Sequence, residues 1–192
     1  MNKIIKNTII LTIITLISGL GLGFVYEITK DPIAQAQDAA KKEAWQAVFP
    51  DADVDAFEAV EVDQKVADQV VNDLGIKATI DEVCTVGEDG YVITTTDKEG
   101  YGGDIQITVG ITADGTVSGI SILSIGDTAG LGMRATEPTF YEQYKDKQTD
   151  KFYVSKDGGE GEPIDALSGA TITSRAVTGA VNAALAYYQN AF

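Results

Sequence analysis

Histidine is absent from the 192-residue chain. Every His-ligated haem, His-containing zinc site and Ser-His-Asp or Cys-His catalytic device is thereby excluded. Cysteine occurs once, at Cys84, so no intramolecular disulfide can form, and cysteine usage neither demands nor forbids an oxidising compartment. Basic residues are scarce: 14 Lys+Arg face 29 Asp+Glu, a net charge of -15. A surface of that sign repels phosphate backbones and anionic headgroups, which argues against nucleic acid as a partner. Arginine is rarer still, confined to Arg134 and Arg175. Repeat arrays and collagen-like periodicity are missing, and the length is that of one domain.

Apolar residues, by contrast, are concentrated. From Thr8 to Tyr26 the chain reads TIILTIITLISGLGLGFVY, roughly 19 residues without a charge, which at a rise of about 1.5 Å cover about 28 Å of hydrocarbon. A signal peptide is the rival reading, because Lys3 and Lys6 form a basic n-region and Ala34-Gln35-Ala36 resembles a small-residue cleavage site. The run is longer than an h-region of about 7–15 residues, and Glu27, Lys30 and Asp31 stand before that site. A single membrane anchor is expected. Lys3 and Lys6 ahead of the span favour a cytoplasmic N-terminus and an extracytoplasmic folded part. Thr15, Gly19 and Gly23 share one face, either a close-packing surface for another transmembrane helix or ordinary glycine content.

Downstream, Asp31-Pro32 can start a new helix, with Ile33, Ala36, Ala40, Ala44, Trp45 and Val48 at near-helical spacing until Pro50. The stretch DADVDAFEAVEVDQKVADQVVNDLG is acidic and weakly periodic, lacks the spacing of a calcium loop, and reads as a solvated face. From Asp81 the period changes to two. Asp89-Gly90 and Asp114-Gly115 are hairpin signals beside YVITTT, IQITVGIT and TVSGISIL, and Ile105, Ile107, Val109 and Ile111 alternate with polar or glycine positions. Cys84 reads as a small core residue. Val177, Ala180, Val181, Ala184 and Tyr188 form the apolar stripe of a C-terminal helix. The expected fold class is α+β, an antiparallel sheet flanked by helices and preceded by a single N-terminal transmembrane helix. The expected organisation is an anchor over 1–30, a helical stalk and acidic segment over 31–82, and a ligand-binding domain over 83–192.

Two motifs carry chemistry. DALSGATITSR, from Asp165 to Arg175, places the hydroxyls of Ser168, Thr171, Thr173 and Ser174 around a helix start. Such a start exposes unpaired N–H groups, so either an anion such as phosphate binds there or Thr173 or Ser174 is an ordinary N-cap. In the second motif, GDTAGLGMRATEP, Gly130 to Ala135 formally matches G-x-G-x-x-A. Glu137-Pro138 leaves no room for the long helix of a dinucleotide fold, so a tight loop approaching a flat ligand is the better reading. Arg134 and Arg175 each lie in one motif, either converging on one anionic, planar ligand or serving as two surface residues.

The order Gly100-Tyr101-Gly102-Gly103, an Asp-Gly hairpin, GDTAGLG and finally DALSGATITS resembles the FMN-binding domain family. With one span and this length, the chain is similar to the G subunits of Rnf complexes, the ion-translocating ferredoxin:NAD oxidoreductases. It is related to the C subunits of sodium-translocating NADH:quinone reductases. The resemblance covers roughly Val83 to Leu185 plus the span. It implies FMN joined through its phosphate to Thr171 by a separate, magnesium-dependent flavin transferase using FAD, with Asp165, Ser168, Gly169 and Ala170 as the recognition segment. Thr128, Leu131 and Gly132 match the family's E-T-P-G-L-G motif of flavin contacts, whereas Asp127 replaces Glu and Ala129 replaces Pro. The Asp127 carboxylate reaches one methylene less far. Thr173, Ser174, Arg175 and Arg134 complete the candidate cofactor-binding set, with no catalytic residue and no metal site expected. The implied role is an electron relay among the other membrane subunits of such a complex, without independent catalysis. The alternatives are a stand-alone anchored extracytoplasmic reductase, the equivalent subunit of a sodium-translocating NADH:quinone reductase, and a non-redox adaptor whose Ser/Thr motif is only a helix cap.

Overall fold

The computed structural model describes residues 2–192, and the chain divides into two compact units, Met1–Ala40 and Lys41–Phe192. Helix α1 spans Lys3–Val48. Its N-terminal part is long and apolar enough to cross a membrane, with exposed side chains such as Ile9, Leu16, Leu20 and Phe24. Thr8 donates to the Ile4 carbonyl at 3.0 Å and Thr12 to the Thr8 carbonyl at 2.9 Å, so these hydroxyls are satisfied inside the helix, as hydrocarbon surroundings require. The expected restart at Asp31-Pro32 does not occur, because Pro32 lies inside the helix. Proline costs the helix its own N–H donor and crowds the carbonyl of the preceding turn, and the Ala, Gln, Lys and Glu residues that follow are good helix formers that carry the helix past it.

The second unit is built on a five-stranded antiparallel meander. Its strands are β1 (Phe57–Val60), β2 (Ala78–Val86), β3 (Gly90–Asp97), β4 (Ile105–Thr112) and β5 (Val117–Ile125), in sequence order across the sheet. Tight turns make this order the simplest available: Asp89 N–H returns to the Val86 carbonyl at 2.9 Å, and Gly115 N–H to the Thr112 carbonyl at 2.8 Å. Period-2 alternation then sends Ile105, Ile107, Val109 and Ile111 to one face, all at most 1% exposed. Helix α4 (Thr171–Ala191) covers that face with Val177, Ala180, Val181 and Leu185. Each such aliphatic side chain withdrawn from water contributes about 1.5–3 kcal/mol, so this layer is the main stabilising contact. On the opposite face a smaller core joins Val48, Phe49, Cys84, Val86 and Val92, with Trp45 stacked on Phe57 at 5.5 Å. Cys84 is buried there, and burial pushes its thiol up to about 11, away from reactivity.

The acidic stretch is more structured than its composition announces. It contains β1 and α2 (Gln64–Leu74), whose Asp63 cap accepts from Lys65 N–H at 2.9 Å and Val66 N–H at 3.3 Å. The strand escapes pattern reading because only Phe57 of its four residues is partly buried, as befits a sheet edge. Short elements complete the unit: α3 (Pro138–Tyr141) and the parallel pair β6 (Phe152–Val154) and β7 (Glu162–Ile164). Asn182 of α4 holds β6 by donating to the Phe152 carbonyl at 2.9 Å and accepting its N–H at 2.8 Å. Tyr144 and Thr178 hydroxyls bond at 2.8 Å in the same buried layer, fixing the N-terminal half of α4.

Candidate flavin-binding site

Three loops meet at the start of α4. The segment before the helix is stitched to it by Ser174, fully buried, whose hydroxyl donates to the Ala170 carbonyl and accepts the Leu167 N–H, both at 3.0 Å. Ser174 is therefore spent on loop closure and does not cap the helix; the N-cap position is Ala170, which offers no side-chain acceptor. The first-turn N–H groups are left for another acceptor, the arrangement that favours an anion. Gly169 adopts φ +78, a conformation that glycine takes at little cost, and Leu131 of the second loop lies against it.

The second loop runs from Gly126 to Gly132. Asp127 organises it: one carboxylate oxygen accepts the Thr128 N–H and the other accepts the hydroxyl of Thr173, itself fully buried. Gly132 sits so close to that carboxylate that a Cβ would overlap it. Leu131 and Met133 N–H groups both return to the Thr128 carbonyl, at 3.1 and 3.2 Å. The third loop, Gly100 to Gly103, packs its Gly102 backbone directly on the Gly126-Asp127 peptide.

Between these loops lies a cleft of about 500 Å³. Thr171, Thr173, Gly169 and Ala170 line one side, and Thr128, Leu131 and Gly132 the other. The two sequence motifs, about 40 residues apart, thus form one site because the sheet and α4 bring their loops to the same end. Tyr101, Ile172 and Asp127 also line it. Tyr101 is 69% and Ile172 47% exposed, so each presents apolar surface at the cleft. Neither is among the candidate contacts expected from the sequence, although both stand inside the quoted motifs; the signal for Tyr101 is a lone aromatic inside a glycine triplet.

The remaining candidates lie elsewhere. Arg175 is exposed and forks onto Asp157, with Nε at 2.7 Å from Oδ2, lining a different depression beside Leu74, Ile76 and Asn182. That pairing holds the Asp157 carboxyl below its usual range. Arg134 pairs with Glu137 at 3.2 Å. The two arginines do not converge on the cleft, since each is taken up by a neighbouring carboxylate of this acidic chain. Asp165 is exposed, accepting from the Ser155 hydroxyl at 3.0 Å, and its N–H donates to Gln143 at 2.7 Å. Ser168 is exposed outside the cleft. Among the described residues no cluster of three or more carboxylate or thiol groups could hold a metal ion.

The FMN-binding domain model matches residues 100–186, and the RnfG N-terminal region model matches residues 1–48. The chain is 36% identical to the G subunit of the proton-translocating ferredoxin:NAD(+) oxidoreductase complex of Clostridium ljungdahlii, over 96% of this chain and 91% of that one. It is 32% identical to the G subunit of the Na(+)-translocating ferredoxin:NAD(+) oxidoreductase complex of Acetobacterium woodii, over 97% and 92%. The crystal structure of Shewanella oneidensis NqrC aligns at 25% identity and a TM-score of 0.45, covering 57% of this chain and 59% of that one. With near-full coverage of its relatives, an N-terminal region of their type and a cleft built inside the matched FMN-binding domain, the chain belongs to the family of G subunits of Rnf-type ion-translocating oxidoreductase complexes.

Proposed function

We propose that this chain is the membrane-anchored flavoprotein subunit of an ion-translocating ferredoxin:NAD oxidoreductase, holding FMN through a phosphoester at Thr171 and relaying electrons between neighbouring subunits. The observation that carries this reading is the state of the motif's four hydroxyls. Ser174 is committed to loop closure and Thr173 to Asp127, while Ser168 is exposed outside the cleft. Thr171 alone of the four lines the cleft without a side-chain hydrogen bond, and it begins a helix whose first turn no side chain caps.

The residues present fit the group. A cleft of about 500 Å³ falls within the roughly 300–1,000 Å³ of ligand sites. Its walls combine apolar Leu131, Ile172 and Tyr101, suited to a flat ring, with N–H dipoles that favour the negative charge a phosphodiester retains. When bound, the flavin supplies reversible one- and two-electron transfer. Thr171 then fixes the phosphate end, Leu131 and Ile172 exclude water from the ring, and no protein acid or base is required. Maturation by a separate flavin transferase follows from the same motif, with Asp165, Ser168 and Gly169 exposed on the segment before α4 and Ala170 buried at its end. The charge bias of Lys3 and Lys6 supports an extracytoplasmic folded unit, where a covalent tether prevents loss of a cofactor that is not resupplied.

The test is the intact mass of the full-length chain coexpressed with a flavin transferase, beside Thr171→Ala. Wild type is expected to gain one FMN less water and the variant nothing. A wild type without added mass, when a known acceptor is labelled by the same transferase, overturns the attachment; a variant that still gains it moves the ester to another hydroxyl.

A further inference from the structure

We infer that Asp127 is the positioning residue of the flavin cleft: by gripping the Thr173 hydroxyl, its carboxylate clasps the Gly126–Gly132 loop onto the first turn of α4 and sets the wall against which the ring is held. The inference rests on the FMN reading above. Its structural basis is a concentration of contacts on one side chain. Asp127 accepts the buried Thr173 hydroxyl and the Thr128 N–H, one on each oxygen. Among the described residues this is the sole side-chain hydrogen bond between the loop and α4. Every other tie is local, such as the Leu131 and Met133 N–H bonds to the Thr128 carbonyl, or is van der Waals contact, such as Leu131 against Gly169.

The chemistry suits a clasp. A carboxylate accepts more strongly than a neutral oxygen, and burial of the hydroxyl donor keeps water from substituting for it. Asp127 also carries the third loop, because Gly102 packs on the Gly126-Asp127 backbone and Tyr101 follows it into the cleft wall. Release of the Thr173 hydroxyl would therefore loosen Leu131 and Tyr101 together, two apolar residues of the cleft wall, while leaving Thr171 and the first-turn N–H groups of α4 in place.

Two readouts separate this inference from the cofactor assignment. In the full-length chain made without transferase, hydrogen exchange of a peptide spanning Thr128 to Met133 reports the clasp itself, since the Leu131 and Met133 amides are held within it. Asp127→Ala and Thr173→Val should each speed that exchange about ten-fold, the factor expected for one charge-assisted hydrogen bond. The double variant should be no faster than either single one, and Asp127→Asn, which keeps an acceptor for Thr173, should stay closer to wild type. In the FMN-loaded chain the same variants should raise iodide quenching of flavin fluorescence in the same order. Unchanged exchange in both single variants, or effects that add in the double variant, overturns the clasp whatever the flavin content. Faster exchange with unaltered quenching overturns the positioning role. A wild type that takes no FMN overturns the cofactor reading and the positioning role with it, while the exchange data still decide whether the clasp exists.

Discussion

Two glycine-rich acidic loops approach the start of α4, and they hold it by different physics. The Gly126–Gly132 loop places Asp127 against the buried hydroxyl of Thr173. The loop around Gly158 and Gly159 places Asp157 against the exposed guanidinium of Arg175, two residues further along the same helix. On paper the second contact is the stronger, a bidentate ion pair between full charges. In water it is the weaker, because solvent and salt screen both partners and two mobile side chains must be ordered to make it. In the first the hydroxyl donor is fully buried, although Asp127 borders the cleft, and a close-packed backbone stands behind the carboxylate. Position relative to solvent therefore decides which loop is part of a wall and which is a surface ornament of the helix.

Filling the space behind the buried contact breaks the comparison most severely. In Gly132→Ala the new methyl meets the Asp127 carboxylate, so either the loop or the carboxylate must move. Overpacking of this kind costs about 1–3 kcal/mol, and thermal unfolding of the full-length chain should begin several degrees lower. Flavin loading should fall with it, read as flavin absorbance per protein. A Gly132→Ala chain that melts and loads like wild type would mean that the loop slides freely, and the wall would lose its rigidity.

A third carboxylate sharpens the contrast. Asp97 ends β3, is 1% exposed, and faces Gly179 of α4. Burial raises its carboxyl from about 3.8 to about 6, and negative neighbours Glu99 and Asp104 add to this, while the Glu99 N–H, donated at 2.7 Å, opposes it. A carboxyl that is harder to ionise in the folded state binds its proton more tightly there than in the unfolded chain. Its contribution to stability therefore falls as pH rises from about 4 to about 6 and stays lost above that. Asp97→Asn removes the dependence and keeps the acceptor for Glu99. It should melt a few degrees higher than wild type at pH 8 and nearly level with it at pH 4, a convergence that melting curves over this range would expose.

The residues announce these differences unevenly. The sheet, α4 and the two chemical motifs are legible because they rest on local rules: period-2 alternation in β4, Asp-Gly turns, a 3.6-residue stripe from Val177 to Tyr188, hydroxyls at a helix start. Edge strand β1 is not, since a half-solvated edge carries no alternation to read. The continuation of α1 through Pro32 is hidden for a different reason: proline is a strong local signal that the flanking helix formers override. Within the site, the motif alone does not tell the roles of Ser174 and Thr173 apart. Both are hydroxyls within the first four residues of α4, and only the partners supplied by distant segments, Leu167 for one and Asp127 for the other, distinguish them. The arginines mislead in the same way. Their rarity is a true signal of selective placement, but Asp157 and Glu137, which take them up, are ordinary acids among 29.

The smallest expected effect closes the comparison from its exposed side. Arg175 holds the Asp157 carboxyl below its usual value, so the pair contributes only where Asp157 is ionised and loses its contribution as pH falls below about 4. Both side chains are exposed, and screening leaves little to lose even at neutral pH. Asp157→Asn should therefore match wild type in melting temperature and flavin content at pH 7, with hydrogen exchange unchanged in the Gly126–Gly132 loop. A loss of flavin in this variant would make the second loop part of the site after all and would recast Arg175 as a residue that the ion pair holds ready for the cofactor.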